Sequence, residues 1–415
     1  MPESRLGNVY RGWWIVGAVF TASAMVVGSS QYSFSIFVQP LQDEFGWSRT
    51  QINASLSFAA LGSLAAPLLG RLIDTHGSRP VMAVCLGMFG LSYLLRPFMT
   101  ELWHWYALSA LQFIGFSGAA ALPAGKLVGI WFQRSRGRVM GLTMMGNNFG
   151  GLIMPPIVGA SIALASWEAA YVVLGALTAG IVVISLVAIK EIPDAGDRQD
   201  ESDAGGVGPR VELTGWSVEE ALRQKSFYLI TVAVLLGTFT YGAVLPQIFA
   251  HLTNEGASTA TASQAIGLLA IFGMVGKVGF GYLAERITAR YALMLSLGGQ
   301  AAFLMMMLES ANAVVLWTSV PMFGLCMGAF GALMQLIVQE GFGVKYFGGV
   351  MGLINVTSVI SFALGPLMAG LSFDYTDSYR AAFIAVAVMF VVAIALLSQA
   401  GGPRFRAAAV PVAGT

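Results

Sequence analysis

One lysine in this sequence lies where only an anion would balance its charge. Lys277 lies inside the apolar segment Ala262–Leu283, about eight residues from the nearest charge, Glu285. Eight residues of helix cover about 12 Å, which reaches deep into a hydrocarbon layer about 30 Å thick. A cation at that depth costs at least about 2.5–3.5 kcal/mol unless it faces water or a partner. Because no Asp or Glu lies in the middle of a predicted apolar span, the sequence predicts that Lys277 binds an anionic ligand.

A second lysine, Lys126, also lies inside an apolar segment. It precedes Trp131 by five residues, about 7.5 Å of helix, and tryptophan is typical of the membrane interface. The side chain can therefore extend to the aqueous surface, or it can line the same cavity as Lys277. The second arrangement would make a dicarboxylate a plausible ligand, and the sequence leaves both open.

Uncharged polar residues at comparable depths are further candidates for binding an anion or a hydroxyl group. The candidates are Tyr32, Asn147, Tyr241, Asn355 and Gln335. The alternative for each is a hydrogen bond between neighbouring helices, which contributes only about 0.6 kcal/mol.

The composition is that of a polytopic membrane protein. Of 415 residues, 56% are hydrophobic and 10% are charged, against about 25% charged in soluble proteins. The three histidines have no metal-ligand spacing, and no nucleophile–base set or phosphate loop is present. We therefore predict neither an enzyme nor a cofactor, and a net charge of +1 gives no indication of nucleic acid binding.

Twelve apolar runs are long enough to span a membrane, which predicts an all-α fold. They cover residues 13–37, 51–70, 80–99, 105–131, 139–164, 169–189, 227–250, 262–284, 290–309, 314–339, 349–373 and 380–398.

Lysine and arginine are distributed unevenly between the loops. Only Arg49, Arg96 and Arg380 follow odd-numbered spans, and two lysines lie within spans. The other 17 of 22 lie at the termini and after even-numbered spans. This bias predicts that both termini are cytoplasmic in the inner (plasma) membrane.

The two halves of the chain repeat each other at an offset of 211 residues. The matches are Gly70-x-x-x-Asp74-x-x-x-x-Arg79 with Gly281-x-x-x-Glu285-x-x-x-x-Arg290, Val139-Met140-Gly141-Leu142 with Val350-Met351-Gly352-Leu353, and Pro155 with Pro366. Parallel repeats are typical of carriers that expose a central site to each side in turn. At this offset Lys277 corresponds to Ala66, so the scaffold itself does not require the charge.

The predicted organisation has five segments. They are a cytoplasmic N-terminus (1–12), a six-helix half (13–189), a cytoplasmic linker with a short surface helix (190–226), a second six-helix half (227–398) and a cytoplasmic tail (399–415). Within the linker, 194–209 is predicted to be flexible, and 216–223 to be the helix.

Several motifs resemble those of the major facilitator superfamily. The loop Gly70-Arg71-x-x-Asp74-x-x-Gly77-x-Arg79 is similar to the superfamily's motif between helices 2 and 3. Within the superfamily, the chain looks like the bacterial type of the monocarboxylate transporter and oxalate/formate carrier branch. The motifs for this branch are Arg11-Gly12-Trp13-Trp14, Phe45-Gly46-Trp47-Ser48-Arg49, Trp131-Phe132, Phe342-Gly343 and Phe347-Gly348.

The resemblance implies roles for particular residues. In that branch a cation on helix 8, usually Arg, binds the substrate carboxylate, and Lys277 stands at its position. The usual acid one turn earlier is Gly273 here, the usual helix 1 lysine is Tyr32, and helix 11 carries no second cation. The superfamily's cytoplasmic latch would comprise Gly70, Asp74, Arg79 and Arg138, with Glu285 and Arg290 as its weaker second-half version.

These observations predict a secondary transporter of small organic anions, most directly monocarboxylates such as lactate or pyruvate. Burial disfavours the charged form of an amine, so Lys277 could take up a proton together with the anion, which would be symport. The alternatives are an exchanger of small dicarboxylates and a facilitator of neutral solutes. We expect a monomer, because one chain suffices for alternating access.

Overall fold

The computed structural model describes residues 10–133, 135–193 and 213–400, nearly all of them helical. This agrees with the predicted all-α class. Residues 1–9 of the predicted N-terminus, the linker segment 194–209 and residues 401–415 of the predicted tail lie outside the described residues.

The described residues contain eighteen α-helices. The first nine are α1 (Arg11–Val27), α2 (Phe34–Phe45), α3 (Arg49–Asn53), α4 (Ala59–His76), α5 (Ser78–Leu95), α6 (Leu102–Ile114), α7 (Leu122–Trp131), α8 (Arg136–Leu164) and α9 (Trp167–Ala188). The other nine are α10 (Val218–Leu222), α11 (Lys225–Phe239), α12 (Ile248–Asn254), α13 (Thr259–Ile287), α14 (Ala289–Met307), α15 (Ala313–Phe342), α16 (Phe347–Val356), α17 (Ser358–Thr376) and α18 (Arg380–Gln399).

Several long helices begin at a side chain that caps their free N–H groups. Ser166 accepts a hydrogen bond from the Ala169 N–H at the start of α9, and Ser258 accepts one from Thr261 at the start of α13. Such caps satisfy backbone donors that have no partner within the helix. The apolar side chains that follow each cap then form the long spans.

The helix boundaries themselves repeat at the predicted offset. Helix α5 begins at Ser78 and α14 begins 211 residues later at Ala289. The residues just before them, Gly77 and Thr288, both have positive φ angles, 91° and 79°. The same bend therefore occurs twice, once with glycine and once with a β-branched residue.

The helices group into two units. The first comprises Met1–Gln133 with Met145–Thr214, and the second comprises Arg134–Met144 with Gly215–Thr415. The segment Arg134–Met144 precedes the predicted linker in sequence, yet it packs with the second unit. This places the first turns of α8 beside α13, which carries Lys277.

Ten helical stretches of the described residues are long and apolar enough to cross a membrane. Two further long helices, α8 and α14, lie where the fifth and ninth spans are predicted. Their hydropathy is lower because α8 carries two asparagines and two prolines, and α14 carries Arg290 and Gln300. The count of twelve spans and the cytoplasmic termini stay predictions.

A short helix, α10, lies within the segment 216–223 of the linker. It begins with a capping box in which Ser217 and Glu220 each bond the other's backbone N–H. The hydrogen bond from the Ser217 N–H lowers the pKa of Glu220. Its predicted position on the cytoplasmic face stays a prediction.

Candidate functional site

Lys277 is buried in the middle of the second unit. It lies on α13 and is 8% exposed. On one side, Gly276 packs so closely on α15 that a Cβ atom there would collide with the Leu325 carbonyl oxygen. On the other side, Gly141 of α8 packs directly on the Lys277 carbonyl. Two close helix contacts therefore hold the backbone at this residue.

The Lys277 ammonium bonds to a backbone carbonyl. Its Nζ atom donates a hydrogen bond to the Met144 oxygen at 2.9 Å. An ammonium has three N–H donors, and a carbonyl oxygen is a neutral acceptor. A carboxylate would form a charge-assisted hydrogen bond, which is roughly twice as strong as one between neutral groups. Binding of an anion by this ammonium stays a prediction.

Three of the predicted polar ligands lie in the same unit as Lys277. Tyr241 is half-buried and donates a hydrogen bond from its hydroxyl to the Met327 carbonyl, 3.2 Å away. Gln335, on α15, is 2% exposed, and its Oε1 atom has no hydrogen-bond partner among the described residues. Asn355 is half-buried on α16. Their role as ligands stays a prediction.

Tyr32 and Asn147 lie in the first unit. Tyr32 ends a π-helical turn, Gly28–Tyr32, and is 48% exposed. Its ring lies against Gly151 of α8, where a Cβ atom would approach it to 2.9 Å. Asn147 is half-buried on the same helix. Neither position excludes the predicted contact with substrate.

The structure assigns Lys126 a partner that the sequence interpretation missed. Its Nζ atom lies 3.2 Å from Oδ1 of Asp74 and 2.8 Å from the Ile73 carbonyl oxygen. Both charged side chains are 6% exposed. Lys126 therefore neither extends to the aqueous surface nor offers an uncompensated charge, and a substrate role for it loses support.

The residues of the predicted latch form different pairs from those expected. Asp74 lies beside Lys126, and the Arg79 backbone N–H donates to Glu191 at 2.7 Å. Arg138 pairs with Glu285 through its Nε atom at 2.9 Å and its backbone N–H at 2.8 Å.

The remaining latch residues are Gly70 and Arg290. Gly70 is buried on α4, and a Cβ atom on its counterpart Gly281 would collide with the Gly137 carbonyl oxygen. The Arg290 guanidinium lies over the ring of Tyr291, 4.8 Å from its centre. Gating by any of these residues stays a prediction.

Comparison with known proteins identifies the family. The model of the Major Facilitator Superfamily matches residues 19–366 and 256–407. The chain belongs to this superfamily. Its relatives in the superfamily are transporters, and the protein is accordingly a multi-pass membrane transporter of small molecules rather than an enzyme.

The similar superfamily proteins include named monocarboxylate transporters. Monocarboxylate transporter 12 of Homo sapiens is 24% identical over 94% of this chain and 80% of its own length. The MFS-type transporter YcxA of Bacillus subtilis is 26% identical over 91% of this chain and 92% of its own. The solved structure of the E. coli fucose:proton symporter FucP has the same fold, with a TM-score of 0.70 and 12% identity over 94% and 99% of the two chains.

Two features of this superfamily member were not predicted. The acceptor for Lys277 is a backbone carbonyl, and side-chain identity contains no signal for such a contact. Arg96 was assigned to an outer loop, yet it is 4% exposed. The aromatic and polar residues that surround it, among them Trp105 and Gln112 on the next helix, were a signal in the sequence that could have indicated its burial.

Proposed function

We propose that the protein transports small organic anions, most directly monocarboxylates such as lactate or pyruvate, and that Lys277 binds the carboxylate. The observation that carries this proposal is a buried ammonium on α13, held between two close helix contacts. The relatives named monocarboxylate transporters support this substrate class, because the similarity covers nearly the whole chain.

The contact with Met144 suits reversible binding. An arriving carboxylate can replace a neutral carbonyl as the acceptor for one N–H of Lys277, and the exchange gains a charge-assisted bond. The fixed backbone keeps the ammonium in place, so little side-chain entropy remains to be lost on binding. Apolar residues of the surrounding helices would contact the carbon skeleton.

Proton coupling follows from the same residue. Removal from water disfavours the ammonium form of a lysine, whereas a bound carboxylate favours it. Proton and anion would then bind Lys277 together and be released together, which is symport. The transporter would operate as a monomer in the inner membrane, with both termini in the cytoplasm.

A dicarboxylate exchanger is less well supported. Two carboxylates would require two cations at the site, and the second lysine, Lys126, is engaged with Asp74. We therefore favour a single carboxylate on the substrate.

Uptake of labelled lactate and pyruvate into proteoliposomes tests the proposal, with and without an inward proton gradient. We expect Lys277→Gln to reduce uptake at least about 10-fold, which corresponds to about 1.4 kcal/mol. Lys277→Arg is the matched control, because it keeps the charge, and it should retain much of the uptake.

Two results would contradict parts of the proposal. Unchanged uptake in Lys277→Gln would remove the carboxylate role of this lysine. Proton uptake driven by substrate that persists in the same variant would show that the proton binds elsewhere.

A further inference from the structure

The first unit contains a buried arginine that the proposed transport mechanism does not use. Arg96 follows α5 in a short 3-10 turn, Arg96–Phe98, and is 4% exposed. Its guanidinium carbon lies 4.2 Å from the ring centre of Trp105 and 4.8 Å from that of Tyr171. No carboxylate of the described residues forms an ion pair with it. A buried charge with only neutral neighbours is costly.

All hydrogen bonds of the Arg96 guanidinium go to neutral oxygens. Nη1 donates to the Tyr171 hydroxyl at 2.8 Å, and Nη2 donates to Gln112 Oε1 at 2.7 Å and to Ser109 Oγ at 3.3 Å. The Nε–H group is buried and has no acceptor among the described residues. The guanidinium has five N–H donors and makes three hydrogen bonds, so it retains two donors, one of them the Nε–H.

The neighbouring hydroxyl groups form a directed chain. Gln112 Nε2 donates to the Tyr93 hydroxyl at 3.0 Å, Tyr93 donates to Ser29 Oγ at 2.7 Å, and Ser29 donates to the Met25 carbonyl at 2.5 Å. These hydrogen bonds occupy the Tyr93, Ser29 and Met25 oxygens, and none of the three groups carries a negative charge.

Two hydroxyl groups next to Arg96 still have a hydrogen to donate. Tyr171 and Ser109 each accept from the guanidinium, and neither donates to any described residue. The three residues that carry these unused donors, Arg96, Tyr171 and Ser109, all line one cavity. A water molecule could accept from them, but only an anion would also balance the charge.

The cavity is small. Its empty space amounts to about 280 Å³ including its open side. Much of the wall is hydroxyl-bearing or aromatic, and its polar residues besides Arg96 and Tyr171 are Ser29, Ser30, Ser55, Tyr93, Ser109 and Gln112. The enclosed part has room for about one water-sized group. This suits a single-atom anion such as a halide, and it is too small for a carboxylate with a carbon skeleton.

The repeat indicates that the fold does not need this charge. At the offset of 211 residues, Arg96 corresponds to Met307, Tyr93 to Leu304 and Ser109 to Val320. All three counterparts are fully buried apolar residues. At these three positions the second unit packs with apolar side chains, so the fold itself does not require the polar side chains of the first unit.

We propose that this cluster is a second anion site, in which Arg96, Tyr171 and Ser109 bind a small monovalent anion. The ligand is a halide ion, because the enclosed space holds about one water-sized group. The site is independent of Lys277 and does not rest on the proposed transport function.

Thermal unfolding of the full-length protein in detergent tests the site. Sodium gluconate is replaced stepwise by sodium chloride, or in a second series by sodium formate, at constant ionic strength. We expect a saturable rise in melting temperature of about 2–4 °C, because a ligand that binds only the folded state stabilises it. We expect chloride to saturate at the lower concentration, because the cavity holds about one water-sized group; a preference for formate would contradict the proposed fit.

Arg96→Met is the decisive variant, since methionine is the residue of the second unit at this position. It should abolish the saturable rise with chloride. Tyr171→Phe removes one donor and keeps the fold's aromatic packing, so it should raise the half-saturating concentration about 10-fold. The Tyr171→Phe variant still tests the anion site if Arg96→Met does not fold.

Three results would overturn the proposal. They are the absence of a saturable response in the wild-type protein, an equal response in Arg96→Met, and an unchanged half-saturating concentration in Tyr171→Phe. Loss of lactate uptake in Lys277→Gln with the anion response intact would separate this site from the transport site.

Discussion

Asp74 and Glu285 occupy equivalent positions in the two repeats, yet they bind different kinds of cation. Asp74 lies beside Lys126, and both side chains are 6% exposed. Glu285 pairs with Arg138, whose side chain is 52% exposed. The residue equivalent to Lys126 is Ile337, which is fully buried. One repeat has therefore placed both members of its ion pair in the interior, whereas in the other the cation is exposed and the Glu285 side chain is 12% exposed.

The other two buried cations also have apolar counterparts in the opposite repeat. Lys277 corresponds to Ala66, and Arg96 corresponds to Met307, and both counterparts are fully buried. Three times, one repeat carries a buried charge where the other carries an apolar side chain. Because each of these three positions packs with an apolar side chain in one repeat, packing alone does not explain why the other repeat carries a charge there.

The largest expected effect comes from converting the interior pair to its apolar counterpart. Lys126→Ile should destabilise the protein by about 3–5 kcal/mol, because removal of one partner from a buried ion pair leaves the other charge poorly compensated. The measurement is thermal or denaturant unfolding in detergent, compared with the wild-type protein.

The double variant Lys126→Ile with Asp74→Asn is the control for this prediction. Removing both charges should restore about 1–4 kcal/mol relative to the single variant. If Lys126→Ile alone is as stable as the wild-type protein, the two repeats do not differ in the way proposed.

A medium effect is expected where the second unit depends on close backbone contact. Gly281→Ala should cost about 1–3 kcal/mol, since its Cβ atom would collide with the Gly137 carbonyl oxygen. Gly279→Ala, two residues away, meets nothing within 4 Å. It should be neutral or up to about 1 kcal/mol more stable, because alanine favours a helix over glycine. Unfolding in detergent checks both, and equal stabilities would contradict the packing argument.

The smallest effect is expected at the exposed pair. Glu285→Gln should reduce stability by no more than about 1 kcal/mol, because exposed ion pairs contribute little. The amide can still accept from the Arg138 backbone N–H, which limits the loss further. A destabilisation as large as that of Lys126→Ile, measured in the same detergent and salt, would refute the contrast between interior and surface pairs.

The fold was predictable because its signals are distributed along the chain. Long apolar runs predict spanning helices, and motifs at one fixed offset predict the repeat, which the boundaries of α5 and α14 now follow. The spans around Asn147 and Arg290 were the hardest to verify, since polar residues lower their hydropathy. Family membership followed from the loop Gly70–Arg79, and comparison with known proteins confirms it.

The site was only partly predictable. A lone lysine in an apolar span is a clear signal, so the sequence identified Lys277 correctly as a buried cation. Lys126 was harder, because its partner Asp74 is 52 residues away in sequence and looked like part of a loop motif. Arg96 lies at a predicted helix end, where hydropathy alone does not distinguish a buried residue from an exposed one.

Thr288 and Gly77 adopt the same backbone turn, although its angles are easy only for glycine. The Thr288 backbone angles, φ 79° and ψ 152°, fall in a region that is nearly restricted to glycine and costs another residue about 1–3 kcal/mol. The equivalent Gly77 adopts the same bend without that strain. A search of sequences for the glycine motif would therefore overlook the second copy of this turn, and superposition of the backbones would find it at once.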